Sequence, residues 1–274
     1  MKIKTQRYGP NAGFTLIEMM VAIGLLTLIM AIVFSNIDMV QKRYNIEDAK
    51  TDSIQESREF LDQITRDLST AGFPNGTMYK NTNIPADIAT SKAVGLVAIS
   101  ATDIIFEGDL DGDGSANVIE YQLDNTANSG NCPCAIKRSV VAKDGSTATL
   151  SLTPTFDTEV QRVVNSTGNG NSPYTISGKD SKGNTFDTVY VNFKYNPVFE
   201  YYDITGTKIT GVPNDLSTSG SPSNQTTGSA FSLLARVRTV VVTINVVSTI
   251  PDQQTQQYPA FSLRGVALIL NPKI

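Results

Sequence analysis

The sequence predicts an α+β protein: a long N-terminal helix, membrane-spanning over its first half, packed on an antiparallel β-sheet head with long loops. Three observations predict it. Phe14 to Phe34 is a run of 21 residues with a single charge, Glu18. Residues 25–71 contain neither Pro nor Gly. Beyond residue 72, about 200 residues follow in short β-branched or alternating segments, enough for one domain with its own core.

The apolar run comes first. At about 1.5 Å rise per residue, a helix over about 14–37 spans the roughly 30 Å hydrocarbon core of a bilayer. A carboxylate in such a segment is costly unless paired, so Glu18 reads as functional. Met1 to Gly13 carries Lys2, Lys4 and Arg7 and no acid, a cytoplasm-facing flank by the positive-inside rule. A secretory signal places its cleavage site after the apolar run. Here the cut suits the Gly13–Phe14 junction before it, so residues 1–13 leave as a leader and the helix stays.

The helix then changes character. Ile54, Ser57, Leu61, Ile64, Leu68 and Ala71 recur at spacings of three and four, one face of a helix. Gly72 and Pro74 end it. The spacing therefore predicts one helix over 14–72, its second half lying on the head, which occupies 73–274.

Within the head, strands are expected at 93–99, 103–107, 117–123, 135–141, 147–152, 188–195, 198–203 and 208–212, with two more at 235–242 and 261–272. Asn165–Gly183 and Val212–Ser229 are rich in Gly, Ser and Asn and read as surface loops.

One segment carries a ligand pattern. Asp109, Asp111, Asp113, Ser115, Asn117 and Glu120 stand at positions 1, 3, 5, 7, 9 and 12 of a twelve-residue calcium loop, with Gly114 at position 6. Its flanks look like strands, so the expectation is a structural Ca2+ held in a β-hairpin, with Glu120 swung out if the strand begins early. The competing reading is an acidic, Gly-rich turn that needs no metal. Cys132 and Cys134 are the only cysteines. In an exported chain they are expected to pair as a disulfide across Pro133, a strained or labile bridge with no catalytic role. Two Cys without His cannot complete a zinc shell.

Composition argues against catalysis and against nucleic acid. The chain has no His, so Ser-His-Asp and Cys-His nucleophile pairs are excluded. Without the three leader cations, 19 of the 22 Lys+Arg remain against 26 Asp+Glu, a net charge of −7. Such a surface does not neutralise phosphates over its area.

Gly13-Phe14-Thr15-Leu16-Ile17-Glu18 resembles the processing site of type IV prepilins and type II secretion pseudopilins. The resemblance implies a pilin-like fold and cleavage after Gly13 by a prepilin peptidase that also methylates the Phe14 amine. It further implies that Glu18 neutralises the terminal amine of a neighbouring subunit during assembly. Arg66-Asp67-Leu68 followed by Ala71-Gly72-Phe73 is similar to PilW-type minor pilins and, more loosely, to the J-type pseudopilin. The segments 235–242 and 261–272 agree in outline. The function implied is a minor pilin that nucleates or primes a type IV pilus filament. The alternatives are a secretion pseudopilin and a filament-tip adhesin. The partners implied are other minor and major pilins or pseudopilins, the prepilin peptidase and an inner-membrane assembly platform. The location implied is the bacterial inner membrane before assembly, with the head outside the cytoplasm, then a filament.

Overall fold

Helix α1 runs unbroken over Leu16–Ser69, 54 residues. The computed structural model describes residues 15–74, 93–124, 133–143, 153–165, 174–179, 183–190, 196–213, 216, 229–252 and 255–270. The chain divides into two units, Met1–Glu47 and Asp48–Ile274. In the first, α1 has no buried residue. In the second, one stripe of α1 is buried: Ser53, Ser57, Phe60, Leu61, Ile64, Asp67 and Leu68. This is the face set by the three-four spacing, with Ser53, Phe60 and Asp67 added to it and Ile54 only half-buried. The helix ends where Gly72 adopts a left-handed φ of 78°, a conformation that glycine reaches without strain.

Among the described residues ten strands follow: β1 (Leu96–Ile99), β2 (Asp103–Gly108), β3 (Asn117–Asp124), β4 (Cys134–Ala142), β5 (Asp157–Val163), β6 (Tyr174–Lys179), β7 (Thr185–Tyr190), β8 (Phe199–Tyr202), β9 (Thr239–Val247) and β10 (Ala260–Leu268). A short helix, α2, occupies Ser229–Arg236. Eight strands form one curled antiparallel sheet in the order β1-β2-β3-β4-β5-β9-β10, with β8 also on β9. β10 takes one edge of β9 over nine residue pairs. β5 and β8 share the other edge, through Val163 opposite Val246 and Phe199–Tyr202 opposite Val242–Thr239. β6 and β7 make a separate two-stranded ribbon.

The architecture is the expected one, and several elements differ in detail. Residues 165–183 are not all loop: Tyr174–Lys179 is β6, whose Ser177 hydroxyl donates to Asp187 of β7 at 2.6 Å. Polar cross-strand pairs can hold a ribbon that has little apolar alternation to announce it. β5 was not anticipated, because Asp157-Thr-Glu-Val-Gln-Arg-Val buries only Val160 and Val163. The expected strand at 147–152 lies outside the described residues, as does most of the expected loop at 212–229. Residues 208–212 contribute an isolated bridge, Lys208 to Tyr202, rather than a strand. The segment 235–242 begins as the last turn of α2 and becomes strand only at Thr239. Eight helical residues are too few for a helical period to stand out.

The core lies between the buried stripe of α1 and the inner face of the sheet. Phe60, Leu61, Ile64 and Leu68 join Phe106, Tyr121, Ile136, Val160, Val242 and Ile244 in one cluster. Each fully buried Phe, Leu or Ile contributes about 1.5–3 kcal/mol. Gly265 of β10 lets the strand approach the helix, since a Cβ there would meet Leu61 Cδ2 at 3.1 Å.

One charged group interrupts this surface. Asp67 is buried, and its Oδ2 accepts from the Tyr121 hydroxyl at 2.7 Å and from Arg138 Nη2 and Nε at 2.7 and 3.0 Å. The Tyr121 ring packs edge-on against Phe60 and parallel to Phe106, and the Arg138 guanidinium lies 5.8 Å from its centroid. Burial first, and then the Asp67 carboxylate, push the Tyr121 hydroxyl well above its usual pKa, so it stays a donor.

Removing Asp67 leaves a part-buried guanidinium and a buried hydroxyl without their acceptor. Asp67→Ala is therefore expected to destabilise the unit from Asp48 onward by about 3 kcal/mol or more, and Tyr121→Phe by about 1 kcal/mol. Denaturant unfolding of the two variants checks this ordering. Equal losses would mean that the hydroxyl and the ion pair contribute alike.

Candidate functional site

Two groups of residues are candidates for functional chemistry, the start of α1 and the loop after β2. Gly13 and Phe14 lie outside the described residues. Thr15, immediately before α1, and Glu18 in its first turn are described and form a reciprocal cap. The Thr15 N–H and hydroxyl donate to Glu18 Oε2 at 2.9 and 2.8 Å, and the Glu18 N–H donates to Thr15 Oγ1 at 3.3 Å. This is a capping box, in which a Thr and a Glu three residues on satisfy donors that a helix start leaves open. Thr-x-x-Glu is itself the sequence signature of this cap, so Glu18 has a local role beside that of a membrane charge.

From Leu16 to Val40 every large apolar side chain is between 43% and 79% exposed. A helix apolar all round suits hydrocarbon rather than water. Among the described residues α1 is the one helix long and apolar enough to cross a membrane. The run gives way to charge at Asp38 and Lys42, an i,i+4 ion pair of 2.7 Å.

The acidic loop grows from the end of β2, beside the end of α1. Ala71 and Gly108 form an antiparallel bridge, the Gly72 N–H donates to the Glu107 carbonyl and the Asp109 N–H to the Phe73 carbonyl, each at 2.9 Å. Gly108 is required there, because a Cβ would lie 2.6 Å from Thr70 Oγ1. One carboxylate oxygen each from Asp109, Asp111 and Asp113 lie within 4.8 Å of one another. Asp109 is buried; Asp111 and Asp113 are exposed. The buried carboxylate accepts the Gly112 and Gly114 N–H groups at 2.7 and 3.0 Å, and Asp113 accepts the Ser115 N–H at 2.6 Å. Backbone donors thus take up part of the negative charge.

The other members of the expected ligand set are placed differently. Ser115 is exposed at the end of the loop. Asn117 already pairs with Gly108 and Ala142 as the first residue of β3. Glu120 stands three residues into β3, opposite Ile105 and Ser139, and is not in the carboxylate group. The strand begins before position 12 of the loop is reached, so that acid points from the sheet instead of closing the loop. Three carboxylates, Asp109, Asp111 and Asp113, remain as candidate ligands for a hard cation. Cys134 opens β4 and is disulfide-bonded; Cys132 lies outside the described residues.

Glu120 has another consequence. Burial, reinforced by the neighbouring Asp103 carboxylate, pushes its pKa up to about 7. The unfolded chain releases this proton near pH 4.5 and the folded head near pH 7, so stability falls as pH rises between them. Glu120→Gln is expected to be more stable than the parent at pH 8, by on the order of 2 kcal/mol, and equal to it at pH 4. Denaturant unfolding at the two pH values checks it, and an equal difference at both would remove the titration from the account.

Residues 10–34 match the family profile described as the prokaryotic N-terminal methylation motif. Neither the curated proteins nor the solved structures give a match to the chain. The matched segment takes in Gly13, Phe14, the Thr15–Glu18 cap and the apolar half of α1. It supports the class of type IV prepilins and pseudopilins, whose motif implies processing by a prepilin peptidase, assembly with other pilins, and anchoring in a membrane through one N-terminal helix.

Proposed function

We propose that this protein is a minor pilin that helps nucleate or prime a type IV pilus filament, of the PilW type. The observation that carries the reading is the prepilin methylation motif laid over an exposed apolar helix that leads into an α+β head. A peptidase cuts between Gly13 and Phe14 and methylates the Phe14 amine. The apolar half of α1 holds the subunit in the inner membrane, with the head outside the cytoplasm. On assembly it exchanges lipid for the helices of other subunits, and Glu18 meets a neighbour's terminal amine. Two opposite charges in that low-dielectric bundle are each costly alone and compensate one another when they meet. The role is structural rather than enzymatic. The PilW-type reading rests on the likeness of Arg66-Asp67-Leu68 and Ala71-Gly72-Phe73 to those minor pilins.

The acidic loop is proposed as a calcium site that stiffens the hairpin between β2 and β3. Asp109, Asp111 and Asp113 are the ligands, with further oxygens from the loop backbone and water. Glu120 is left out of this set.

Three measurements test these proposals. N-terminal mass spectrometry of assembled material is expected to show a chain beginning at N-methylated Phe14, and Glu18→Val is expected to be processed and inserted yet to assemble poorly; retention of Met1, or normal piliation with Glu18→Val, would end the filament reading. For calcium, binding to the native state alone stabilises by about 2.7 kcal/mol at a hundredfold excess over Kd. Calorimetry is expected to show a higher Tm with calcium than with chelator, a shift that Asp111→Ala with Asp113→Ala abolishes. Identical melting in both conditions would leave a metal-free acidic turn.

A further inference from the structure

The eight-stranded sheet treats its two edges differently. β1 is four residues long, wholly buried and bulged between Leu96 and Ala98, and Leu216 packs with Val97 and Ala98. Short, irregular and covered strands are how a sheet avoids pairing with another chain. β10 has none of these protections. It pairs with β9 over nine residues without a bulge and contains no Pro. Among the described residues no strand pairs with its other side. Alternate N–H and C=O groups along β10 therefore face outward with no strand to meet them.

Side chains at this edge are incompletely covered as well. Gly265, Ala267 and Ile269 face the core, so Arg264, Val266 and Leu268 lie on the outer face. On the inner face Phe261 and Leu263 are half-buried, whereas Val242 and Ile244 of β9 are fully buried. On the outer face Val266 and Leu268 are 53% and 60% exposed. Leu270 follows them at 66%. Among the described residues from Asp48 onward, the other exposed large apolar side chains are Phe73, Val140 and Ile204, so half of this set gathers at one edge. Arg264 stands beside the apolar pair, opposite Thr243. The sheet's other cations are engaged: Lys137 with Asp124, Arg138 with Asp67, and Arg162 with the Val247 and Ser248 carbonyls. Arg264 has no such partner among the described residues.

We infer that the open edge of β10 is a docking site for an extended segment of another protein, with an acidic residue to face Arg264 and apolar residues to face Val266 and Leu268. Outward backbone groups call for a strand, which adds its own main-chain hydrogen bonds to the sheet. The outer side chains then choose which strand. In an antiparallel partner the apolar residues stand four and two positions before the acid. The same strand covers Phe261 and Leu263 with its other face. A cross-strand charge pair sets register and partner choice more than affinity, which comes from the backbone and the apolar contacts.

The test uses the full chain in detergent micelles and a fluorescent peptide, Thr-Val-Thr-Val-Thr-Glu-Thr. Its two Val and its Glu share one face and meet Leu268, Val266 and Arg264 when the strands run antiparallel. Fluorescence anisotropy is expected to show saturable binding, with hydrogen exchange slowed along β10. A peptide with Lys in place of Glu is expected to bind about fivefold more weakly, and Arg264→Glu to reverse that preference. Leu268→Lys changes an exposed side chain and is expected to keep the parental Tm while weakening the Glu peptide about tenfold. Methylating the peptide's backbone nitrogens on alternate residues is expected to block binding for one of the two possible sets and to spare it for the other. Binding unaffected by either set overturns strand addition. No binding, or equal binding of the Glu and Lys peptides, leaves Arg264 as a guard of the edge and overturns the docking site. A parental dimer that Leu268→Lys makes monomeric puts a second copy at the edge and overturns the acidic partner.

Discussion

The head is organised around a carboxylate that cannot be left alone. Asp67 lies on the buried face of α1 beside Phe60, Leu61, Ile64 and Leu68, and an unpaired charge there costs several kcal/mol. It is compensated only where Tyr121 of β3 and Arg138 of β4 meet it, and these are cross-strand partners in the β3–β4 register. The constraint therefore fixes three things together: how α1 is rotated, how far it is advanced along the sheet, and how two central strands are aligned. Apolar packing alone tolerates a shifted helix far better than a directional three-donor acceptor does. Gln63, one turn before Asp67, extends the contact: with its amide oxygen turned to Arg138 Nε at 3.2 Å, its nitrogen reaches Glu159 of β5 at 3.3 Å.

The outer face of the sheet handles charge in a different way. Asp103, Glu107 and Asp124 are buried there, each with local partners. Asp103 accepts the Ser100 and Thr102 hydroxyls at 2.9 and 2.8 Å, Glu107 meets Lys143 at 2.7 Å, and Asp124 meets Lys137 at 2.5 Å. Glu107 also accepts the Val94 N–H at 2.9 Å, so the chain returning before β1 is tied to the strand from which the acidic loop departs. The loop thus starts from a fastened base, which is a condition for three carboxylates to converge rather than splay apart.

What could be read from the sequence follows from how local each cause is. The apolar run, the Gly13–Phe14 junction and the helical stripe are patterns of neighbours along the chain, and the helix and its end at Gly72 came out as expected. The long strands β3, β4 and β9 bury alternating or continuous apolar residues and carry that signal too. β5 and β6 do not: β5 buries only Val160 and Val163, and β6 pairs with the neighbouring β7 through polar cross-strand partners such as Ser177 and Asp187, which carry no apolar alternation. For the calcium pattern, residue types at fixed offsets were visible, but the early start of β3 is decided by pairing with β2 and β4. That pairing separates Glu120 from the three aspartates. Asp67 was visible within a family-like motif, yet its partners Tyr121 and Arg138 are 54 and 71 residues away, and no local pattern joins them.

The helix itself answers to two solvents within one continuous hydrogen-bonded ladder. Its first part, through Val40, exposes apolar side chains on every side, and its part beyond Asp48 has a single buried stripe with polar residues around it. The two demands do not compete, because the change comes over the charged stretch Asp38, Lys42, Arg43, Glu47 and Asp48. Here an i,i+4 pair, Asp38 with Lys42, supports the helix where neither lipid nor a core does. Exposed charge at that point is cheap, whereas a Gly or Pro would weaken the ladder just where no packing could restore it. The absence of both residues from 25 to 71 is therefore what allows one element to serve as membrane anchor at one end and as core of the head at the other.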